Sequence, residues 1–254
     1  MSSVLFEAGR DGVAVITINR PDQRNAVNLE VANGIAAAVD EFEARADLSV
    51  AILTGAGGNF CAGLDLKAFT RGEIPVLPGR GFGGLTERPP AKPLLAAVEG
   101  WAVAGGFELA LSADLIVAAR DAKFGLPEVR RGLVAGSGGL VRLAKVLPYH
   151  LAMELALTGE SLPAATAHRY GMVNLLSEPG AVLGAARELA LKIAANGPLA
   201  VRVSKQIVAG AVGYRDIDAF PGQQALVDEV VSSADALEGA RAFAEKRQPV
   251  WTGA

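Results

Sequence analysis

The stretch Gly100-Trp-Ala-Val-Ala-Gly-Gly-Phe-Glu-Leu-Ala-Leu-Ser-Ala-Asp114 decides how the chain is read. It follows the apolar run Leu94 to Val98, so strand, glycine turn and helix are predicted in succession, with Gly105 and Gly106 at the turn. The first N–H groups of such a helix lack intrahelical partners, and that end attracts negative charge. Gly105 carries no Cβ to keep a substrate atom away from the backbone N–H, which is the geometry a developing oxyanion needs. Glu108 falls about one turn further on, on the face that Gly105 opens. The same residues would also make a plain strand-to-helix turn with a carboxylate that complements the helix dipole, and this stretch alone does not separate the two readings.

Upstream, the apolar runs Val4 to Glu7 and Val13 to Asn19 flank Arg10-Asp11-Gly12 and predict a hairpin. Asn28 is placed to cap a helix reaching about Ala46, with Val31, Ile35, Val39 and Phe42 along one face. Val50 to Leu53 then reads as a buried strand, and strand, helix, strand in that order predicts an α/β layer with parallel pairing. Gly55-Ala56-Gly57 begins like a dinucleotide fingerprint, but Phe60 stands where the third glycine belongs and no helix opens there, so a plain turn is expected. Gly63 precedes a second helical start, with Asp65 placed to cap it. Between the two glycine turns, Thr70 to Pro93 is rich in glycine and proline and reads as a mobile flap.

Downstream, Asp114 to Ala118 is another strand, and Pro127 sets Glu128 on a rigid turn. Gly136-Ser137-Gly138 resembles part of a nucleophile elbow, but Ala135 replaces its first glycine, so a helix N-terminus before Leu140 to Val146 is the preferred reading. From Pro148 the pattern is helical: His150 to Leu157, Ala164 to Tyr170, Ala181 to Asn196, Pro198 to Ala209, Ile217 to Ser232 and Ala236 to Lys246, with a short strand around Met172 to Leu175. His150 and His168 lie in these helices and read as structural.

The chain has 254 residues, 51% of them hydrophobic, and a net charge of −3 without a dense Lys/Arg cluster, which leaves no footprint for nucleic acid or an anionic membrane. One cysteine, Cys61, excludes an internal disulfide, and with two histidines it leaves no structural zinc set. A reducing, cytoplasmic compartment is expected. The N-terminus has no basic region followed by an apolar run, and the most apolar region is broken by Glu99, Glu108 and Asp114, so neither a signal peptide nor a membrane span is expected.

Asn19-Arg20-Pro21 with Asn25-Ala26-Val27-Asn28, Phe60 to Lys67, Ala104 to Ala110 and Phe124 to Glu128 together resemble the crotonase superfamily, the enoyl-CoA hydratases and isomerases. The resemblance covers nearly the whole chain. It implies an α/β spiral of ββα units over residues 1–195, carrying the site, and a helical region over 196–254 that assembles a homotrimer, usually paired into a hexamer. It implies an acyl-CoA substrate, so that coenzyme A is part of the substrate and no cofactor is held permanently. Position by position, the N–H groups of Leu64 and Gly105 look like the oxyanion hole for the thioester carbonyl. Glu108 looks like the base that activates water, and Glu128 like the acid that protonates C2. Arg24, Ala26, Ala62, Asp65, Leu66 and Lys67 fall where the family holds the nucleotide, and Lys246 where a phosphate is reached from the C-terminal segment. Gly81 to Glu87 and the ending Phe243 to Trp251 look most like the carnitinyl-CoA dehydratase branch, whose substrate carries a trimethylammonium group; Trp101, Phe82 and Glu87 flank the site and are candidates to meet it.

A hydratase acting on the C2=C3 bond of a 2-enoyl-CoA is therefore the expected activity. A double-bond isomerase or thioester hydrolase would use the same oxyanion hole, but the presence of both glutamates argues against it. A non-catalytic RNA-binding relative would need a basic patch that the sequence lacks.

Overall fold

The computed structural model describes residues 2–211, 224 and 226–253. Strands β1 (Val4–Ala8) and β2 (Val13–Ile18) form the expected antiparallel hairpin at one edge of a six-stranded sheet. Helix α1 (Leu29–Ala44) connects β2 to β3 (Val50–Gly55), which pairs parallel to β2 from Val13 against Val50 to Ile18 against Gly55. Asn28 caps α1 by accepting a hydrogen bond from Val31 N at 3.0 Å. The sheet continues in parallel through β6 (Leu94–Val98), β8 (Leu115–Ala119) and β11 (Leu175–Ser177). Its central strands are almost wholly apolar because both faces are covered; α7 (Val182–Ala194) lies across β3, β6 and β8.

A second, smaller sheet makes the site possible. After β6 the chain turns at Gly100 into β7 (Trp101–Val103), and after β8 it turns into β9 (Lys123–Gly125), which pairs parallel to β7 and antiparallel to β10 (Ser161–Pro163). Single parallel bridges, Cys61 with Ala102 and Val27 with Leu64, carry this pairing back to earlier turns. Each turn of the spiral then enters a helix: α2 (Leu66–Phe69), α3 (Gly105–Ala110) and, after a 3-10 turn at Pro127–Arg131, α4 (Gly139–Val146). These helices follow the C-terminal ends of the parallel strands, where sites on α/β sheets collect.

Several expectations are corrected. The chain does not run from Leu94–Val98 straight into a glycine turn, because β7 intervenes and Gly105 and Gly106 are the first residues of α3. The turning residue is Ala104, with φ 52. The stretch expected as a mobile flap is packed at its centre: β4 (Val76–Leu77) pairs with β5 (Gly81–Phe82), and residues 81–86 are buried. Glycine permits this, since a Cβ on Gly83 would lie 2.9 Å from the Leu109 side chain and one on Gly84 2.9 Å from Ala36 Cβ. The strand expected near Met172 to Leu175 is β11, three residues later, while β10 was not anticipated. Helices α5 (Tyr149–Thr158), α6 (Ala164–Arg169), α8 (Pro198–Ala211) and α9 (Ala234–Glu245) match the helical reading of the C-terminal third. The helix expected from Ile217 to Ser232 lies partly outside the described residues; 226–231 are helical.

Asn25 joins the hairpin to the site loops. It is fully buried, with φ 57; its Nδ2 donates to Ala56 O (2.8 Å) and Asn59 O (2.7 Å), and its Oδ1 accepts from Arg20 N (2.9 Å). Asn25→Ala strands two partly buried carbonyls and an N–H around a fully buried left-handed position, and should cost about 2–4 kcal/mol in urea unfolding. A loss below about 1 kcal/mol would show that water replaces the side chain.

Candidate active site

Two backbone amides border one cavity where β7 ends. Leu64 N and Gly105 N donate to no backbone carbonyl or side chain among the described residues. Gly63, with φ +85, brings them together: a Cβ there would lie 2.8 Å from Ala104 Cβ and 2.9 Å from Gly105 N. Any larger residue would push the 61–64 segment off the start of α3. The missing Cβ of Gly105 also serves packing. The volume its Cβ would fill is taken by the Phe82 ring, whose Cζ would sit 2.5 Å away, so this glycine admits the wall behind it. Gly106 likewise lets α3 approach Cys61, whose carbonyl carbon would be 2.7 Å from an added Cβ.

One turn into α3, Glu108 is 3% exposed, and its Oε1 accepts from Ser137 N (2.7 Å) and Gly139 N (2.9 Å). These are amides at the start of α4, so the helix N-terminus anticipated there has a carboxylate as its anion. Gly139 must lack a Cβ, which would fall 2.7 Å from Glu108 Cγ. With Oε1 held twice, Oε2 is left for the cavity. Across it stands Glu128, half-buried on the Pro127–Arg131 turn, whose buried Oε2 has no hydrogen-bond partner among the described residues. Burial pushes its carboxyl above the usual carboxylate range and nearby Glu108 pushes the same way, against its own backbone N–H and Arg131. One carboxylate is thus an oriented acceptor, while the other sits where burial makes it easier to protonate than an ordinary carboxylate.

Leu64, Gly105, Glu108 and Glu128 line one cavity of about 470 Å³, walled mainly by apolar side chains that include Leu66, Phe82 and Val134. Among the expected nucleotide-binding residues, Ala62 and Leu66 line this cavity. Arg24 lines an adjoining groove of about 350 Å³ that shares Ala62, Val103, Pro127 and Arg131 with it. Asp65 is occupied with structure: Oδ1 caps α2 through Lys67 N (3.0 Å) and Ala68 N (3.1 Å), and Oδ2 pairs with Arg20 at 2.9 Å. Ala26 is half-buried, its carbonyl accepting from Arg20, and Lys67 is exposed.

The single chain does not bring Lys246 to the site. It is exposed, and no described residue of the C-terminal segment lines the cavity. That segment packs at the opposite, N-terminal ends of the central strands, where Trp251 Nε1 donates to Ala195 O and Trp251 lines a cavity with Leu48 and Ser49, just before β3, and Lys92 and Pro93, just before β6. Of the three residues flanking the site in sequence, Phe82 lines the cavity, Trp101 faces the adjoining groove and Glu87 lies behind α4. The two amides that hold Glu108 were not anticipated as site residues, although the helix start that supplies them was. No cluster of three or more His, Cys, Asp or Glu able to hold a metal occurs among the described residues, and no described helix is long and apolar enough to cross a membrane.

The profile of the family Enoyl-CoA hydratase/isomerase matches residues 8–254. A carnitinyl-CoA dehydratase from Salmonella paratyphi B is 42% identical, with all of both chains covered. Among solved structures, an enoyl-CoA hydratase from Mycobacterium tuberculosis shares 59% identity with a TM-score of 0.97. A carnitinyl-CoA hydratase from Mycobacterium avium shares 43% with a TM-score of 0.81, and each covers the whole of both chains.

Cys61 lies at the back of this site without chemistry of its own. Burial pushes its thiol up to about 12, and its Sγ donates to Asn25 O at 3.1 Å. Iodoacetamide at pH 8 should label the native protein at least about a hundredfold more slowly than the denatured chain. Comparable rates would mean that the 61–64 segment opens readily.

Proposed function

The chain belongs to the enoyl-CoA hydratase/isomerase family, and within it we propose that it is a hydro-lyase that adds water reversibly across the C2=C3 bond of a 2-enoyl-CoA thioester. The observation that carries this reading is the pair of glutamates in unlike environments facing one cavity with two unpaired amides.

In the proposed mechanism the thioester oxygen accepts from Leu64 N and Gly105 N, which draws electron density from C3 and stabilises the enolate that forms. Glu108, fixed through Oε1, uses Oε2 to take a proton from the water that attacks C3. Glu128, protonated beforehand, delivers a proton to C2 as the enolate collapses. Glu108 gains the proton that Glu128 loses, and exchange with solvent restores both. An isomerase moves a proton between carbons and needs no second group to activate water, so the presence of both carboxylates favours the hydratase.

Coenzyme A would enter as part of the substrate, with Ala62 and Leu66 along its path and Arg24 offering a cation to the phosphates; no permanent cofactor is required. Assembly as a homotrimer or dimer of trimers, with Lys246 reaching the site of a neighbouring copy, would reconcile its distance from its own site with a phosphate contact. A cytoplasmic location accords with this chemistry. The division at residue 195 follows the same reading, with the spiral carrying the site and the helices after it serving assembly.

The loss of conjugated-thioester absorbance should be followed with crotonyl-CoA and crotonobetainyl-CoA in parallel, since the relatives' names make both candidate substrates. Hydration of either supports the reading, and stable absorbance with both speaks against it. Glu128→Gln should lower kcat about 100-fold or more with little change in KM, because its proton is needed only in the transition state. In the parent, activity should fall on the basic side as Glu128 loses its proton, and its raised pKa moves that limb upward. A Glu128→Gln variant with parental turnover would remove Glu128 from the mechanism.

A further inference from the structure

Glu108 is oriented by a turn, and something must hold that turn. Ser137 N and Gly139 N flank Gly138, which adopts φ 94, so the two amides point at one carboxylate oxygen only while this conformation lasts. Arg142, one helical turn on, folds back over it. A Cβ on Gly138 would collide with Nη1 of Arg142, and that same nitrogen reaches Ser137 O at 3.5 Å. The other arm of the fork, Nη2, donates to Thr86 O at 2.5 Å.

Thr86 belongs to the wall that backs the other half of the site. It is 1% exposed and four residues from Phe82, whose ring fills the space beside Gly105. The guanidinium therefore bridges the turn that clamps the carboxylate and the wall behind the oxyanion amide. It lines a groove behind α4 with Thr86 and Ser137 and is not part of the catalytic cavity. Its charge is half-buried: desolvation works against it, and the Glu108 carboxylate works for it. A rigid planar fork suits a bridge between two carbonyls in a way that a single ammonium does not.

We propose that Arg142 is a positioning residue: by bridging Thr86 O and the Ser137–Gly139 turn it keeps the Glu108 carboxylate in register with the Gly105 amide, without touching substrate. The proposal rests on the reading of Glu108 as the base. Loss of the bridge leaves the contacts that bind acyl-CoA in place and loosens only the alignment needed in the transition state, so kcat falls while KM holds.

The test is steady-state hydration by the full-length chain carrying Arg142→Lys or Arg142→Ala, with melting temperatures measured alongside. Arg142→Lys keeps the charge but not the fork; it should lose about tenfold in kcat with KM within about threefold of the parent, as expected for one charged hydrogen bond. Arg142→Ala should lose about 100-fold, and millimolar guanidinium chloride should restore part of it by refilling the vacated space. If Arg142→Ala does not fold, the lysine variant decides. A folded Arg142→Lys with parental kcat overturns the proposal, as does a rise in KM that matches the loss in kcat, or a folded Arg142→Ala that guanidinium does not rescue. Glu108→Gln separates the two readings. If it is inactive while Arg142→Lys is parental, only the positioning role fails; if it turns over like the parent, the reading of Glu108 as the base fails and the positioning role with it.

Discussion

The site depends on one close approach, that of the 61–64 segment to the first turn of α3. Gly63 has space for a hydrogen and no more between Ala104 Cβ and Gly105 N, and Gly106 has the same relation to Cys61. That contact brings to one cavity two amides that are unpaired among the described residues, and it accompanies the Val27–Leu64 and Cys61–Ala102 bridges that extend the small sheet. It also fixes where α3 begins, and therefore where Glu108 falls one turn later. Larger side chains at these glycines would leave the strands intact and separate the donors.

Around that point the protein treats two chemically identical groups in opposite ways. Glu108 is satisfied by two amides from the start of α4, and it is buried because it is satisfied. Glu128 is given burial without a hydrogen-bond partner for Oε2 among the described residues, which raises its pKa above the usual carboxylate range. Paired acid and base chemistry at neutral pH needs this asymmetry, and it arises from where Gly139 and Pro127 place the local backbone. The chain carries a net charge of −3, so a substrate with phosphates gains little from the overall field; cations set beside the site, such as Arg24 and Arg131 in the adjoining groove, have to supply the attraction.

Much of this was legible in the sequence because its signals are local. Asn28 before an apolar stripe and Asp65 after a glycine turn are caps that depend on the neighbouring residues alone, and both serve as caps. The parallel pairing of β2 and β3 followed from a helix set between two apolar runs. What escaped depends on distant partners. Trp101–Val103 is a three-residue strand that exists because β9, some twenty residues later, pairs with it. The 70–93 stretch has the composition of a loose loop, yet Phe82 anchors it where Gly105 has no Cβ, a fit between residues over twenty positions apart. The packing need for glycine at 105 was likewise not local: the space it leaves admits a phenyl ring from that stretch. Lys246 lies away from its own chain's cavity, a placement that no local signal in the sequence shows.

The most direct test of the account is a crystal structure of the protein with a non-hydratable acyl-CoA such as acetoacetyl-CoA. The account predicts the thioester oxygen within about 3.1 Å of both Leu64 N and Gly105 N, with C2 and C3 between the Glu108 and Glu128 carboxyl groups. A thioester oxygen more than about 4 Å from either amide, with its hydrogen bonds made elsewhere, would contradict it.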